Sequence, residues 1–253
     1  MAKASCVIHG TSGATVDVRS WGAIKSTTDT SKRVFLREQA VYMATHGAPF
    51  AEVLWAYSEA YSTQALRPLQ HKTPLDVLLR HARASLRPLW ARPAVPASGW
   101  AVALAAYIER LCVTMPSVRA YMLTMLDRVA YRPGTVGVTH GDATLDNVMR
   151  NDYEELTWFD PIPYRADIPP LIGVDLGKLL QSACGYEQVK YGQTSNWSTP
   201  THAAQDVVLT GMSEDDVFSA RFFHRLAYLR GLRYFTGPVL QHAYNMIEEL
   251  TEC

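Results

Sequence analysis

The stretch VTHGDATLDN, Val138 to Asn147, sets an acid and an amide five residues apart, Asp142 and Asn147, behind a β-branched run. A second acid, Asp160, closes the segment LTWFDP downstream. Val136 to Val138 reads as a short strand leading into the motif. Val148 to Arg150 and Leu156 to Phe159, parted by the polar turn Asn151 to Glu154, read as a β-hairpin. A hairpin returns its far end to its near end, so Asp160 comes back towards Asn147. The five-residue loop can curl and return the Asn147 amide oxygen. Two carboxylates and an amide oxygen around one point suit a hard cation such as Mg2+, which takes one or two protein oxygens when phosphate supplies the rest. With Asn147 and Asp160 as metal ligands, Asp142 is free to accept the proton of an attacking hydroxyl. The competing reading is a set of caps and turns, since Asp and Asn favour both.

Protein kinases carry a catalytic Asp, an Asn five residues later and then a metal-binding Asp. HGDATLDN followed by WFDP resembles the catalytic-loop motif of the aminoglycoside phosphotransferase and choline kinase-like family, in which His-Gly-Asp replaces His-Arg-Asp. The wording DPIP, VDLGKLLQS and GYE is also similar to kinase-like phosphotransferases found with polysaccharide-biosynthesis genes. The resemblance implies a protein-kinase-like fold, ATP or GTP and Mg2+ as cofactors, and a hydroxyl as phosphate acceptor. It implies that Asp175, in GVDLGKLLQS, precedes a helix and supports the catalytic loop. The same residue reads locally as a helix N-cap, and the two roles are compatible. His140 reads as a structural residue holding the loop.

Upstream, short β-prone runs at Ser5 to Ile8, Thr15 to Ser20 and Trp21 to Ser26 precede a helix over Ser31 to His46, whose apolar face is read as Val34, Ala40, Val41 and Ala44. Strands at Val53 to Tyr57 and Ser62 to Leu66 follow. The resemblance makes this region a nucleotide-binding lobe. Lys25, in GAIKS, resembles the lysine that meets ATP phosphates, with Lys32 as its rival. Glu38 resembles the ion-pair partner of that lysine. Gly10, Ser12 and Gly13, in GTSG, stand where backbone N–H groups would cover phosphates, although the stretch is not a full G-x-G-x-x-G.

Beyond Leu66 the chain reads as helical: from Thr73-Pro74, over roughly Ser98 to Leu111, and over roughly Pro116 to Tyr131. Ser213 with Asp216 reads as a capping pair before a long helix. Arg221, Arg225, Arg230 and Arg233 read as a solvated stripe, with an anion-binding wall as the functional alternative. Glu248, Glu249 and Glu252 form the clearest late acidic cluster. The expected architecture is α+β and two-lobed, with a small β-rich lobe over residues 1–66 and a larger, mostly helical catalytic and substrate lobe over residues 67–253.

Composition narrows the function classes. The 253 residues carry 24 basic and 24 acidic side chains, so no global field points to nucleic acid. No apolar run is long enough to span a bilayer, and the N-terminus lacks a signal-peptide apolar region, so a cytoplasmic protein is expected. Cys6, Cys112, Cys184 and Cys253 form no C-x-x-C and read as free thiols. The expected partner is a small-molecule hydroxyl acceptor, with no nucleic acid and no membrane. A protein kinase, a non-catalytic nucleotide-binding protein of the same fold and an assembly protein remain alternatives. No A-P-E follows Asp160, which weighs against the first.

Overall fold

The computed structural model describes residues 6–9, 14–19, 21–57, 59–64, 73–113, 115–165, 168–190 and 202–248. In chain order the elements are β1 Cys6–His9, β2 Thr15–Arg19, β3 Gly22–Ser26, α1 Thr30–His46, β4 Val53–Ala56 and β5 Ala60–Gln64. Then come α2 Leu75–Trp90, α3 Trp100–Leu111, α4 Arg119–Tyr131, β6 Val148–Arg150 and β7 Leu156–Trp158. Among the described residues there follow α5 Ile172–Ala183, α6 Tyr186–Lys190, α7 His202–Leu209, α8 Glu214–Gly231 and α9 Gly237–Glu248. An N-terminal antiparallel sheet followed by a mostly helical region makes the chain α+β.

Internal packing divides the chain into two units, Met1–Gln70 with Asn147–Pro163, and His71–Asp146 with Tyr164–Cys253. This division differs from a single boundary at Leu66, because the hairpin of β6 and β7 packs with the N-terminal unit. The tie is Trp158, which is fully buried. Its N–H donates to Pro49 O at 2.9 Å, and its carbonyl accepts from Ala51 N–H at 2.8 Å.

In the first unit the five-stranded sheet has the order β1-β2-β3-β5-β4 and is antiparallel throughout. Helix α1 starts at Asp29, whose carboxylate accepts from Ser31 N–H at 2.9 Å. Its buried face is Leu36, Gln39, Ala40 and Met43, a clean i, i+3, i+4, i+7 set. The face expected from Val34, Val41 and Ala44 is exposed instead. The correction has a simple cause: a glutamine belongs to the true stripe, so counting apolar residues alone puts the helix in the wrong rotation.

In the second unit α2 buries Leu75, Leu78, Leu79, Ala82, Leu86 and Leu89 at helical spacing. Buried Arg83, on the same helix, caps the end of α7 by donating to Val207 O at 2.7 Å and Thr210 O at 2.6 Å. Ser213 caps α8, its hydroxyl accepting from Asp216 N–H at 3.1 Å. The strand expected at Val136 to Val138 is reduced to one bridge, Val136 to Leu171. Gly137 N–H bonds Pro170 O and Val138 N–H bonds Arg92 O, so loop carbonyls take these donors instead of a neighbouring strand.

Helix α5 is buried along its whole length except at Lys178. It lies hard against α8: a Cβ built on Gly177 would stand 2.7 Å from His224 N and 2.9 Å from Ala220 O. Both atoms are backbone, so neither can swing away. Gly177→Ala must part the two helices and should cost about 1–3 kcal/mol. Urea denaturation checks this, and a variant as stable as the parent would show that the helix contact is slack.

Candidate functional site

The sequence motif is divided between the two units, and each half has its own geometry. In the second unit His140, Gly141 and Asp142 form a turn. Gly141 has φ +79°, a conformation glycine adopts without steric cost, which accounts for a glycine between the His and the Asp. The turn is held by Asp175, which is fully buried. Its carboxylate accepts from His140 N–H at 2.9 Å, Gly141 N–H at 2.8 Å and Trp90 Nε1 at 2.8 Å. His140 is buried as well, and its Nδ1 accepts from Asp142 N–H at 3.2 Å. Downstream, Leu145 N–H donates to Ser182 Oγ at 3.0 Å, and the Ser182 hydroxyl donates to buried Glu187. Two α5 side chains thus hold the loop on either side of Asp142.

Asp175 lies in the first turn of α5, within the helix and not at its cap; the cap position is Leu171. The expected N-cap role is corrected on this point, since the carboxylate points at the loop. Asp142 itself is partly exposed, and Lys178 Nζ lies 2.9 Å from its Oδ1. Lys178 sits three residues after Asp175, so one helix face presents both the loop support and a cation to the loop. Lys178 escaped the sequence reading. Its signal was the i, i+3 spacing from Asp175 in an otherwise apolar helix.

In the first unit the hairpin register pairs Val148 with Trp158, and Phe159 N–H donates to the Asn147 carbonyl at 3.0 Å. Asn147 and Asp160 therefore stand at the open end of the hairpin. Asp160 has φ +63°, a left-handed backbone that Asp tolerates better than most residues. Its carboxylate forms an ion pair with Lys25, which is 8% exposed, across 135 residues of sequence. Gln39, 1% exposed, joins the pair: its Nε2 donates to Asp160 Oδ1 at 2.9 Å and to Pro161 O at 2.8 Å, and its Oε1 accepts from Lys25 Nζ at 3.3 Å. Tyr61, opposite Lys25 in the β3–β5 register, has its phenol pushed well above its ordinary pKa by burial and then by the Asp160 charge, so it stays neutral.

Other expected contributors stand elsewhere. Glu38 is exposed on α1, and Gln39 takes the place beside Lys25 that was expected of Glu38. The rotation of α1 decides this, because residue 38 falls outside the stripe 36-39-40-43. Lys32 pairs locally with Asp29 at 3.5 Å. Gly10, Ser12 and Gly13 lie outside the described residues, as do Glu249 and Glu252. Arg225 is no part of a solvated stripe: it is buried, with its guanidinium 5.1 Å from the Tyr121 ring centroid.

The two units carry different chemistry. Asn147 and Asp160 offer hard oxygen donors at one end of a hairpin, a donor set that suits Mg2+ when phosphate oxygens complete the shell. Lys25 adds a buried ammonium next to them, suited to a phosphate oxygen. In the other half Asp142 offers a partly exposed carboxylate on a braced loop.

Burial raises the Asp175 carboxyl to about 6, with its three hydrogen bonds pulling the other way and the Asp142 charge adding slightly to the rise. An unfolded aspartate titrates near 3.9. Between those values the folded chain holds the extra proton, so the Asp175 contribution to stability is full below about pH 4 and declines as pH rises through about 6. Asp175→Asn cannot titrate. The stability advantage of the parent over this variant should therefore shrink between pH 4 and pH 7, by on the order of 2–3 kcal/mol. Urea denaturation at both pH values measures it, and a pH-independent difference would mean that burial does not disfavour the carboxylate.

No family model matches the sequence. No curated protein matches it. Solved structures do. A choline/ethanolamine kinase family protein from Mesorhizobium loti superposes with a TM-score of 0.63 at 15% identity, covering 99% of this chain and 87% of that one. Aminoglycoside 2'-phosphotransferase-IIIa in its GDP complex gives 0.60 at 12% identity, covering 100% and 93%. The ADP-bound aminoglycoside phosphotransferase APH(2'')-Ib gives 0.58 at 10% identity, covering 97% and 95%. At these identities the likeness concerns the fold. The chain has the protein-kinase-like fold that these aminoglycoside phosphotransferases share with the choline/ethanolamine kinases.

Proposed function

We propose that the protein is a phosphotransferase that moves the γ-phosphoryl group of ATP or GTP to a hydroxyl of a small molecule, such as a sugar, an amino alcohol or an antibiotic. One observation carries the reading: the meeting of buried Lys25 with the partly exposed Asp160, a lysine suited to phosphate and an acid suited to metal, from segments far apart in the chain. The fold supports it, as do the nucleotides bound by the similar structures.

Asp142 is the base in this reading. It takes the proton of the acceptor hydroxyl as that oxygen bonds to the γ-phosphorus and the bond to the bridging oxygen breaks. Asp175, His140 and Ser182 hold the Asp142 loop, so the carboxylate needs no reorganisation at the moment of transfer. Lys178, 2.9 Å from Asp142 Oδ1, holds that carboxylate in place. Lys25 binds phosphate oxygens. Asn147 and Asp160 would hold Mg2+, which when bound neutralises phosphate charge. No covalent enzyme intermediate is required; positioning and charge account for the rate.

The test is a panel of hydroxyl metabolites, antibiotics and a protein substrate, with γ-labelled ATP and GTP. Transfer to a small molecule is the expected outcome, and label moving only to protein would select the protein-kinase reading. Asp142→Ala should lower turnover by roughly 10²–10⁴-fold and leave nucleotide affinity within a few-fold. Asp160→Asn should weaken Mg2+-nucleotide binding and abolish turnover, since a charged ligand is lost. Turnover of Asp142→Ala within about tenfold of the parent would remove Asp142 as the base.

A further inference from the structure

We infer that Gln39 is a positioning residue that fixes Lys25 and Asp160 through one amide, and that its neutrality lets this half-site accept phosphate anions without a resident metal. The inference rests on the nucleotide-binding reading above and adds a residue that neither motif nor spacing had marked.

The chemistry of the three contacts requires an amide. Asp160 Oδ1 and Pro161 O are both acceptors, at 2.9 and 2.8 Å, so the atom facing them must carry hydrogens. Lys25 Nζ is a donor, so the atom facing it must be an acceptor. Among side chains of this length, glutamine offers both. A glutamate has no hydrogen for Asp160 or Pro161, and it would place a second carboxylate against the first. Gln39 is 1% exposed, so water cannot substitute for these bonds.

Charge follows from the same identity. Lys25 and Asp160 cancel, and Gln39 adds nothing. A glutamate at position 39 would leave the bonded set with a net negative charge, opposed to incoming phosphates and strongly felt where burial lowers screening. When phosphate draws Lys25 from Asp160, Gln39 still holds the freed carboxylate through Oδ1 and anchors itself on the Pro161 carbonyl. Asp160 then stays in place for the cation that accompanies the nucleotide.

The experiment is calorimetric titration of the full chain with ATP in Mg2+ and ATP in EDTA, for the parent, Gln39→Met and Gln39→Glu. Thermal melts identify any variant that fails to fold. Gln39→Met should weaken Mg2+-ATP binding by about tenfold to a hundredfold, the worth of hydrogen bonds to charged groups. Gln39→Glu should lose more affinity in EDTA than in Mg2+, relative to Gln39→Met, because the cation compensates an added negative charge and cannot restore a lost amide. A role in packing alone would lower melting temperature and leave that Mg2+ dependence equal in the two variants. Parental affinity and turnover in Gln39→Glu would overturn the inference, as would Gln39→Met binding within twofold of the parent. Should either variant unfold, Gln39→Asn, which keeps the amide on a shorter stem, must show the same loss in Mg2+-ATP binding, and parental binding there would overturn it too. A parent that binds neither ATP nor GTP would overturn the functional reading itself, a separate outcome.

Discussion

The carboxylate of Asp175 braces the loop of His140, Gly141 and Asp142. Fully buried, it takes hydrogen bonds from two consecutive backbone N–H groups and from the Trp90 indole, and so joins α2, α5 and the loop of His140 and Gly141. Backbone donors in a tight turn have no neighbouring strand to satisfy them, and leaving them buried and unpaired would cost on the order of 1–3 kcal/mol each. One carboxylate removes that cost and fixes where Asp142 stands. The arrangement demands a helix that is buried nearly all round, because only such a helix can carry Asp175 so deep. Close approach of α5 and α8 at Gly177 supplies that depth.

The other half depends on Trp158. Its backbone bonds to Pro49 and Ala51 seat the hairpin of β6 and β7 against the segment after α1. That seating brings Asp160 to Lys25, and the left-handed backbone at Asp160 turns its side chain inward. Lys25 is buried and Asp160 partly exposed, and desolvation of the lysine offsets much of the attraction between them. Gln39 completes the set by satisfying both charged partners at once.

The two halves use their cations differently. Lys25 reaches its acid across the chain, whereas Lys178 meets Asp142 from the helix that already supports the Asp142 loop. In each case a lysine stands against a carboxylate.

Sequence by itself determined the order of the N-terminal strands and helix, the hairpin of β6 and β7 and the α+β class. Strand alternation, helix periodicity and cap residues act over a few neighbours, and those neighbours are contiguous in the chain. Asp29 ahead of α1, Ser213 ahead of α8 and the polar turn between β6 and β7 are all local signals of this kind. The rotation of α1 was not legible, because Gln39 is polar and its place on the buried stripe depends on polar partners elsewhere in the fold. Reading Glu38 as the partner of Lys25 followed from that. The depth of Asp175 within α5, the cation at Lys178 and the burial of Arg225 were likewise decided only by tertiary structure. Each depends on which chain segment lies opposite, and a hydrogen bond or ion pair across 35 or 135 residues leaves no periodic trace in the sequence.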